Sequence, residues 1–556
     1  MPSDAKRLRG RAGVALLAVI PLAFLVVFFG WPLLALFGRA VATGDGAGIL
    51  ELLQRAGAGP LLAFTLAQAA ASTVLTLIVA APITWLVARV RFSGSRLLLV
   101  VVTLPFVLPS VVVGMAFRAV FTGPLGFLPP WMGGALDDAG PSLIPILCAH
   151  VFLNAAVVVR VVGAAWAGLD PSLEQAAQIC GATPWRAFAT VTLPRLVPSI
   201  AAAAALVFLF CTTSYGVIMV LGNGRVRTVE TAIYTEGVGY FRLPEAAALS
   251  VVQIVVVVAT LVVARLLSGL AGTTPGGAGA PADRAGGQPP RAGGRGRAAV
   301  WLTLAWTGLW LVLPLAVLAL WSVRPAGPGS WTLAGYRTLG ADVNGITPMS
   351  SAILSVTTAS TAAVLAFVLG LNLAVVLTRI RGPLRAVADT VATLPLGVSA
   401  VTLGFGYMLV LTHWPARLAN SWLVIAAVQA LVVVPLVLRI AVPALEHVPS
   451  GLRAAAATMG ASPLRVFATV DLPIAGRSLA AAAGFAFILS LGEFGATSFL
   501  ARVDTTTLPV MIGSALNRPG EGSLATAMAC SMVLVVATAV AVGIVEAVRP
   551  DAGSLL

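Results

Sequence analysis

Residues 173–194 read LEQAAQICGATPWRAFATVTLP, and residues 452–473 read LRAAAATMGASPLRVFATVDLP. At this one offset of 279 residues, Leu173 meets Leu452, Ala176 meets Ala455 and Ala177 meets Ala456. Gly181 meets Gly460, Pro184 meets Pro463, Arg186 meets Arg465 and Phe188 meets Phe467. Leu193-Pro194 meets Leu472-Pro473. Both stretches are polar interruptions in an oily chain, so the repeat is a duplicated loop between apolar segments. A glycine after an Ala-rich helical run permits a tight turn into a second short helix. The proline of Leu-Pro then suits the first turn of the next membrane helix, where its missing N–H costs little.

The surroundings explain why such loops stand out. The chain has 556 residues, of which 59% are hydrophobic and 10% charged, against about 25% charged in soluble proteins. This is the composition of a polytopic membrane protein. The net charge of +14 is spread over short loops between apolar runs, which is a positive-inside pattern rather than a nucleic-acid face. Apolar stretches of spanning length fall near 13–38, 61–88, 98–121, 143–167, 198–221 and 246–268. A second set falls near 299–322, 351–378, 387–411, 421–444, 477–500 and 524–547. Lipid offers no partner to backbone amides, so each is expected to be a helix. The expected fold is all-α, about twelve transmembrane helices in two parallel six-helix repeats.

The repeat assigns the domains: 1–268 and 299–556 as two similar halves, with 269–298, rich in Gly, Pro and Arg, as a flexible linker. Lys6, Arg7, Arg9 and Arg11 precede the first run and place the N-terminus inside. That orientation puts Arg89, Arg91, Arg96, Arg186, Arg195, Arg379, Arg381, Arg385, Arg453, Arg465 and Arg477 on the inner side. It also makes both repeated loops, the linker and both termini cytoplasmic. The outer loops then hold mixed charges, among them Asp137, Asp138, Arg225, Arg227, Glu230 and Glu236.

The repeated loops resemble the EAA loop of permease subunits of binding-protein-dependent ABC importers. The matching positions are Gln175, Ala176, Ala177, Gly181, Val191, Leu193 and Pro194, then Ala454, Ala455, Ala456, Gly460, Val470, Leu472 and Pro473. The leading Glu of the family pattern is absent from both copies, although Glu174 precedes the first. The resemblance implies the type I ABC importer permease architecture in a bacterial cytoplasmic membrane. It implies that each loop couples to one of two ATPase subunits and that an extracytoplasmic solute-binding protein supplies the substrate. The fused layout is similar to thiamine and ferric-iron permeases. LVFLFCTTSYGVIMVLGNGRVRTVETAIY at 206–234 is most similar to the thiamine type, and SLGEFGATSFLARVDTTTLPVMI at 490–512 to the molybdate/sulfate/iron branch. Thiamine or ferric iron is therefore the expected solute. An ion-driven carrier with two six-helix repeats would share the helix count but leaves the loops unexplained.

Few other residues suggest chemistry. Lys6 is the single lysine and has no P-loop around it, so no ATPase site and no cofactor are expected on this chain; ATP would be used by the partners. Glu493, an acid inside an apolar run, and its repeat mate Ser214 are candidates for the solute pathway. Gly216 and Gly495 correspond and suit close helix packing. Arg160 and Arg439 are expected to snorkel or to brace the loops. His150, His413 and His447 lack ligand spacing, so no metal site is expected, and Cys148, Cys180, Cys211 and Cys530 are read as small apolar fillers. Trp31 and Trp131 are read as interfacial anchors.

Overall fold

A computed structural model describes residues 17–41, 48–90, 92, 94–122, 143–222, 224–270, 294–325, 331–342, 345–516, 518 and 521–548. Lys6, Arg7, Arg9, Arg11, Asp137, Asp138, Trp131 and most of the 269–298 segment lie outside them. The described residues form helices and no strand. The longer elements of the first half are α1 (Leu17–Val41), α2 (Ala58–Arg89), α3 (Ser95–Val107), α4 (Ser110–Thr122) and α5 (Leu143–Ala167). They continue as α6 (Pro171–Ile179), α7 (Pro184–Thr212), α8 (Gly216–Leu221), α9 (Val229–Tyr234) and α10 (Leu243–Leu270). The second half repeats them: α11 (Gly296–Ser322), α12 (Pro348–Arg379), α13 (Pro383–Thr393), α14 (Ala400–Leu411) and α15 (Trp422–Glu446). It ends with α16 (Ser450–Thr458), α17 (Pro463–Leu491), α18 (Thr497–Leu500), α19 (Leu508–Leu516) and α20 (Glu521–Val548).

Among the described residues, ten helices are long and apolar enough to cross a membrane unaided. The expected spans 98–121 and 387–411 are instead sharply bent pairs: α3 and α4 meet at 104°, and the segment 383–397 meets α14 at 89°. Proline is the cause. Pro105 and Pro109 in the first half, and Pro395 in the second, each remove a backbone donor where the helix would continue. The Ser399 hydroxyl accepts the Thr402 N–H at 3.1 Å and starts α14 afresh. The expected spans 198–221 and 477–500 are also interrupted, at 213–215 and 492–496.

In each half three helices make the core: α2, α5 and α7, then α12, α15 and α17. The first helix of each half crosses over. The later part of α1 packs on α14 of the second half as well as on α10, and α11 packs on α2 and α4 of the first half as well as on α20. Hydrogen bonds fix both exchanges. The Tyr407 hydroxyl donates to the Phe28 carbonyl, and the Trp306 indole donates to the Val79 carbonyl at 3.0 Å.

A helix broken inside a membrane must find partners for its freed backbone groups. At the end of α7 the Cys211 carbonyl receives the Ser214 N–H only at 3.5 Å, but the Gln68 amide reaches it at 2.9 Å. Gln253 serves the Thr212 carbonyl at 3.2 Å. At the end of α17 the Glu493 carboxylate accepts the N–H groups of Ala496 at 2.7 Å and Thr497 at 3.0 Å. Replacing Gln68 with leucine should leave the Cys211 carbonyl with only the long Ser214 bond, at a cost of up to about 1–3 kcal/mol. The expected result is a lower melting temperature in detergent, and an unchanged one would show that the bond does not support the break.

Candidate functional site: two surface loops and a closed axis

The two repeated loops adopt one conformation. In the first, α6 ends with the Ala182 N–H on the Ala177 carbonyl at 3.0 Å and the Gly181 N–H on the Gln178 carbonyl at 3.0 Å. In the second, Ala461 bonds Ala456 at 3.1 Å and Gly460 bonds Ala457 at 3.0 Å. This is the Schellman arrangement, which needs its glycine in the left-handed region. Gly181 has φ +89° and Gly460 has φ +84°, with open space where a Cβ would sit. Thr183 and Ser462 then each accept an arginine N–H at 3.3 Å, from Arg186 and Arg465, and start the next helix with Pro184 or Pro463 in its first turn.

Leu193-Pro194 and Leu472-Pro473 do not begin separate helices after a gap. The chain stays helical from Pro184 and from Pro463, passing through wide turns at Phe188–Thr192 and Phe467–Asp471. Each wide turn lies just ahead of its proline, where a regular α-turn would press the ring on a carbonyl and lose a bond.

Each loop is braced from below, with opposite chemistry. Glu174 accepts from Arg89 of α2 at 3.3 Å and from Thr192 at 3.1 Å. Its repeat mate Arg453 instead donates to Asp471, the mate of Thr192, at 2.6 Å, and to the Leu445 carbonyl at 2.7 Å. A cavity of ≈ 260 Å³ lies behind α16, lined among others by Arg379, Arg453, Phe467 and Asp471. At the start of α6 the Asp170 carboxylate accepts the Ser172 N–H at 2.9 Å. Hydrogen bonds from the Ser172 backbone and side chain hold its carboxyl below the usual range.

The loops present large apolar side chains outward. Trp185 is 74% exposed and its mate Leu464 is 77% exposed. Ile179 and Met459 at the turns, and Leu173 and Leu452 on the loop helices, are also exposed. Gln175, Ala176, Gly181, Ala454, Ala455 and Gly460 share this exposure, whereas Ala177 is half-buried and Ala456 is buried. A matched pair of exposed apolar caps on braced, rigid loops is a surface built for partners. Cys180, expected to be a buried filler, is exposed at the end of α6 because the Schellman turn carries it outward.

The second feature is where the halves meet. Tyr215 and Phe494 occupy the same position in their repeats, and their rings stack on each other at 5.1 Å. A residue touches its own repeat mate only on the pseudo-two-fold axis, so these two rings mark it. A Cβ on Gly216 would collide with Ser110 at the α3–α4 bend and lie 3.2 Å from the Phe494 ring. Its mate Gly495 is less crowded but still close-packed, with a Cβ there 3.0 Å from Ala400 at the second bend. The four helix breaks thus converge and close the axis.

Ser214 and Glu493 flank these rings with different roles. The Glu493 carboxylate is occupied in holding the break before α18, as described above. The Ser214 hydroxyl bonds His150 Nε2 at 2.8 Å, and His150 Nδ1 bonds Ser72 at 2.9 Å, a buried chain that the sequence left unseen. Arg160 donates to Thr103 of α3, bracing the bent pair, and Arg439 is exposed. Glu230 and Glu236, expected in an outer loop, are buried. Glu236 is paired with Arg227 at 3.0 Å, and Glu230 accepts from Ser399 of the other half at 3.2 Å. The short helix α9 folds back between the halves and carries Glu230 inward, which a hydropathy reading cannot see. Trp31 is exposed beside Trp414, and it lies near the middle of α1 rather than at the span end expected of an interfacial anchor.

Known proteins resemble this chain along most of its length. Over 513 residues, 89% of this chain and 88% of theirs, the chain is 27% identical to the thiamine transport system permease protein ThiP of Brucella abortus (strain 2308). It is 34% identical over 150 residues to the sulfate transport system permease protein CysT of Escherichia coli (strain K12), covering 27% of this chain and 54% of that one. It is 38% identical over 158 residues to the molybdenum transport system permease protein ModB of the same strain, covering 27% and 67%. A single family model matches twice, at residues 80–272 and 362–552, taking in both loops and both sides of the closed axis. With each half matched in turn, the chain belongs to the family of binding-protein-dependent transport system inner membrane components.

Proposed function

We propose that this chain alone forms the membrane pathway of an ATP-driven thiamine importer. Two copies of an ATPase subunit dock from the cytoplasm, one on the loop 171–187 and one on the loop 450–466. A solute-binding protein delivers thiamine to the opposite face, and the solute passes along the axis now closed by Tyr215 and Phe494. The observation that carries this reading is the likeness to thiamine transport permeases along nearly the whole chain, both halves included. The sulfate and molybdenum relatives match about a quarter of it. Thiamine is preferred to ferric iron on the same ground.

The loops support the coupling role. Their apolar caps are rigid, exposed and present twice, as two identical partners require. Closure of the two ATPases would push α6 and α16, and through the Glu174 and Arg453 braces the force would reach the core helices. Each half would then rock about the axis.

Expression of the chain with its ATPase and binding protein, in a host lacking thiamine uptake and synthesis, should restore labelled-thiamine accumulation. Sulfate and molybdate should not compete. Uptake displaced by an oxyanion, or persisting after ATP depletion, would overturn the reading.

A further inference from the structure

The two halves share their mechanical parts but not the chemistry at their meeting point. The loop, the two kinds of helix break and the bond that fixes the element before the last helix each occur once in either half. Thr65 accepts the Val229 N–H at 3.1 Å, and its counterpart Ser355 accepts the Leu508 N–H at 2.7 Å. Near the axis the equivalence ends. Glu230 corresponds to Pro509, Tyr234 to Gly513, and Tyr215 to Phe494, at the 279-residue offset. Rocking two similar halves needs matched parts, whereas gripping an asymmetric solute needs unmatched ones.

The unmatched residues lie together. From the Tyr215–Phe494 stack the rings continue through Tyr234, 5.6 Å from Tyr215, to Phe499, 5.2 Å from Tyr234, and Phe405, 6.2 Å from Phe499. This row crosses between the halves twice, at Tyr215–Phe494 and at Tyr234–Phe499, so parting them exposes rings on both sides. Glu230 lies one turn before Tyr234 on α9 and is fully buried. One of its oxygens, Oε2, accepts from Ser399 across the interface. The other, Oε1, is buried with no hydrogen-bond partner among the described residues. The Gln253 amide beside it gives one N–H to the Thr212 carbonyl. An acceptor left open in a membrane interior is costly unless another state of the protein supplies its partner.

Aromatic faces with a carboxyl group make a site for an organic cation: the rings attract positive charge through their quadrupoles, and the carboxylate neutralises it. We propose that, when the halves part, Glu230 and the faces of Tyr215, Tyr234 and Phe494 form a transit site for an organic cation on the axis. The proposal rests on the importer reading above and gives it a solute class. Thiamine, with its thiazolium charge and flat rings, fits that class.

The test is Glu230→Gln in the complete complex of this chain, ATPase and binding protein, reconstituted in vesicles and supplied with labelled thiamine. Glutamine keeps an acceptor for Ser399 but not the negative charge, so it separates charge from bracing. Uptake should fall by about tenfold or more, with ATP hydrolysis stimulated by the binding protein kept within about twofold, and Glu230→Asp should recover part of the loss. Unchanged uptake by Glu230→Gln overturns the proposal. So does a parallel fall of uptake and hydrolysis, because it would make Glu230 a brace. A wild-type complex that fails to move thiamine overturns the substrate reading itself, a result distinct from any difference between variants.

Discussion

Replacing Trp185 and Leu464 together with aspartate should abolish ATP-driven uptake while leaving the helix bundle folded and inserted. Both side chains are about three-quarters exposed, so neither change removes core packing. Their only large effect is then on whatever covers them. Buried aromatic and aliphatic anchors at interfaces typically cost about 2 kcal/mol or more when lost. Two such anchors on two loops amount to about 4 kcal/mol, or roughly a thousandfold in affinity for the ATPase pair. Each single change should leave one loop intact and give an intermediate loss. Co-purification of the ATPase, helical content and uptake measured on the same preparations decide the matter. Full uptake by the double variant would show that these loops do not carry the coupling.

Gly216→Leu should have an effect of similar size by a different route. The side chain would enter the space of Ser110 and Phe494, where even one carbon does not fit. Overpacking of this kind costs about 1–3 kcal/mol, and at this position the cost falls on the state in which the axis is shut. The expected outcome is a complex that still hydrolyses ATP, takes up solute at a tenth of the normal rate or less, and leaks preloaded solute from vesicles. Gly543→Leu on α20 is the control, because a Cβ there meets nothing within 4 Å. If the two variants behave alike, the Gly216 contact is not the seal.

The sequence disclosed what repeats and concealed what bends. Gly181 and Gly460 were legible because an Ala-rich run followed by glycine has few conformations open to it, and the left-handed turns follow. The apolar segments were legible from composition. The 104° bend at 108–109 was not, since hydropathy records that a segment is oily and not the direction it takes afterwards. Pro105 and Pro109 were in view, but proline occurs in straight membrane helices too. Glu230 was misplaced for a related reason. A short charged stretch between apolar runs reads as a surface loop, and only tertiary folding shows α9 returning to the interface. The Ser72–His150–Ser214 chain joins two helices to the break after α7, and no local pattern announces such a meeting. Glu493 stands out in the sequence as an acid in an apolar run, and the structure gives its carboxylate to the backbone of a broken helix.

The exchange of first helices has a consequence for how the protein is made. The carbonyl that Tyr407 seeks belongs to Phe28, so α1 acquires this seat only after α14, in the other half, has been made. The contacts of α11 with α2 and α4 tie the halves in the opposite sense. Once they form, each half holds a piece of the other, so a cut in the segment joining them should yield two fragments that remain clasped.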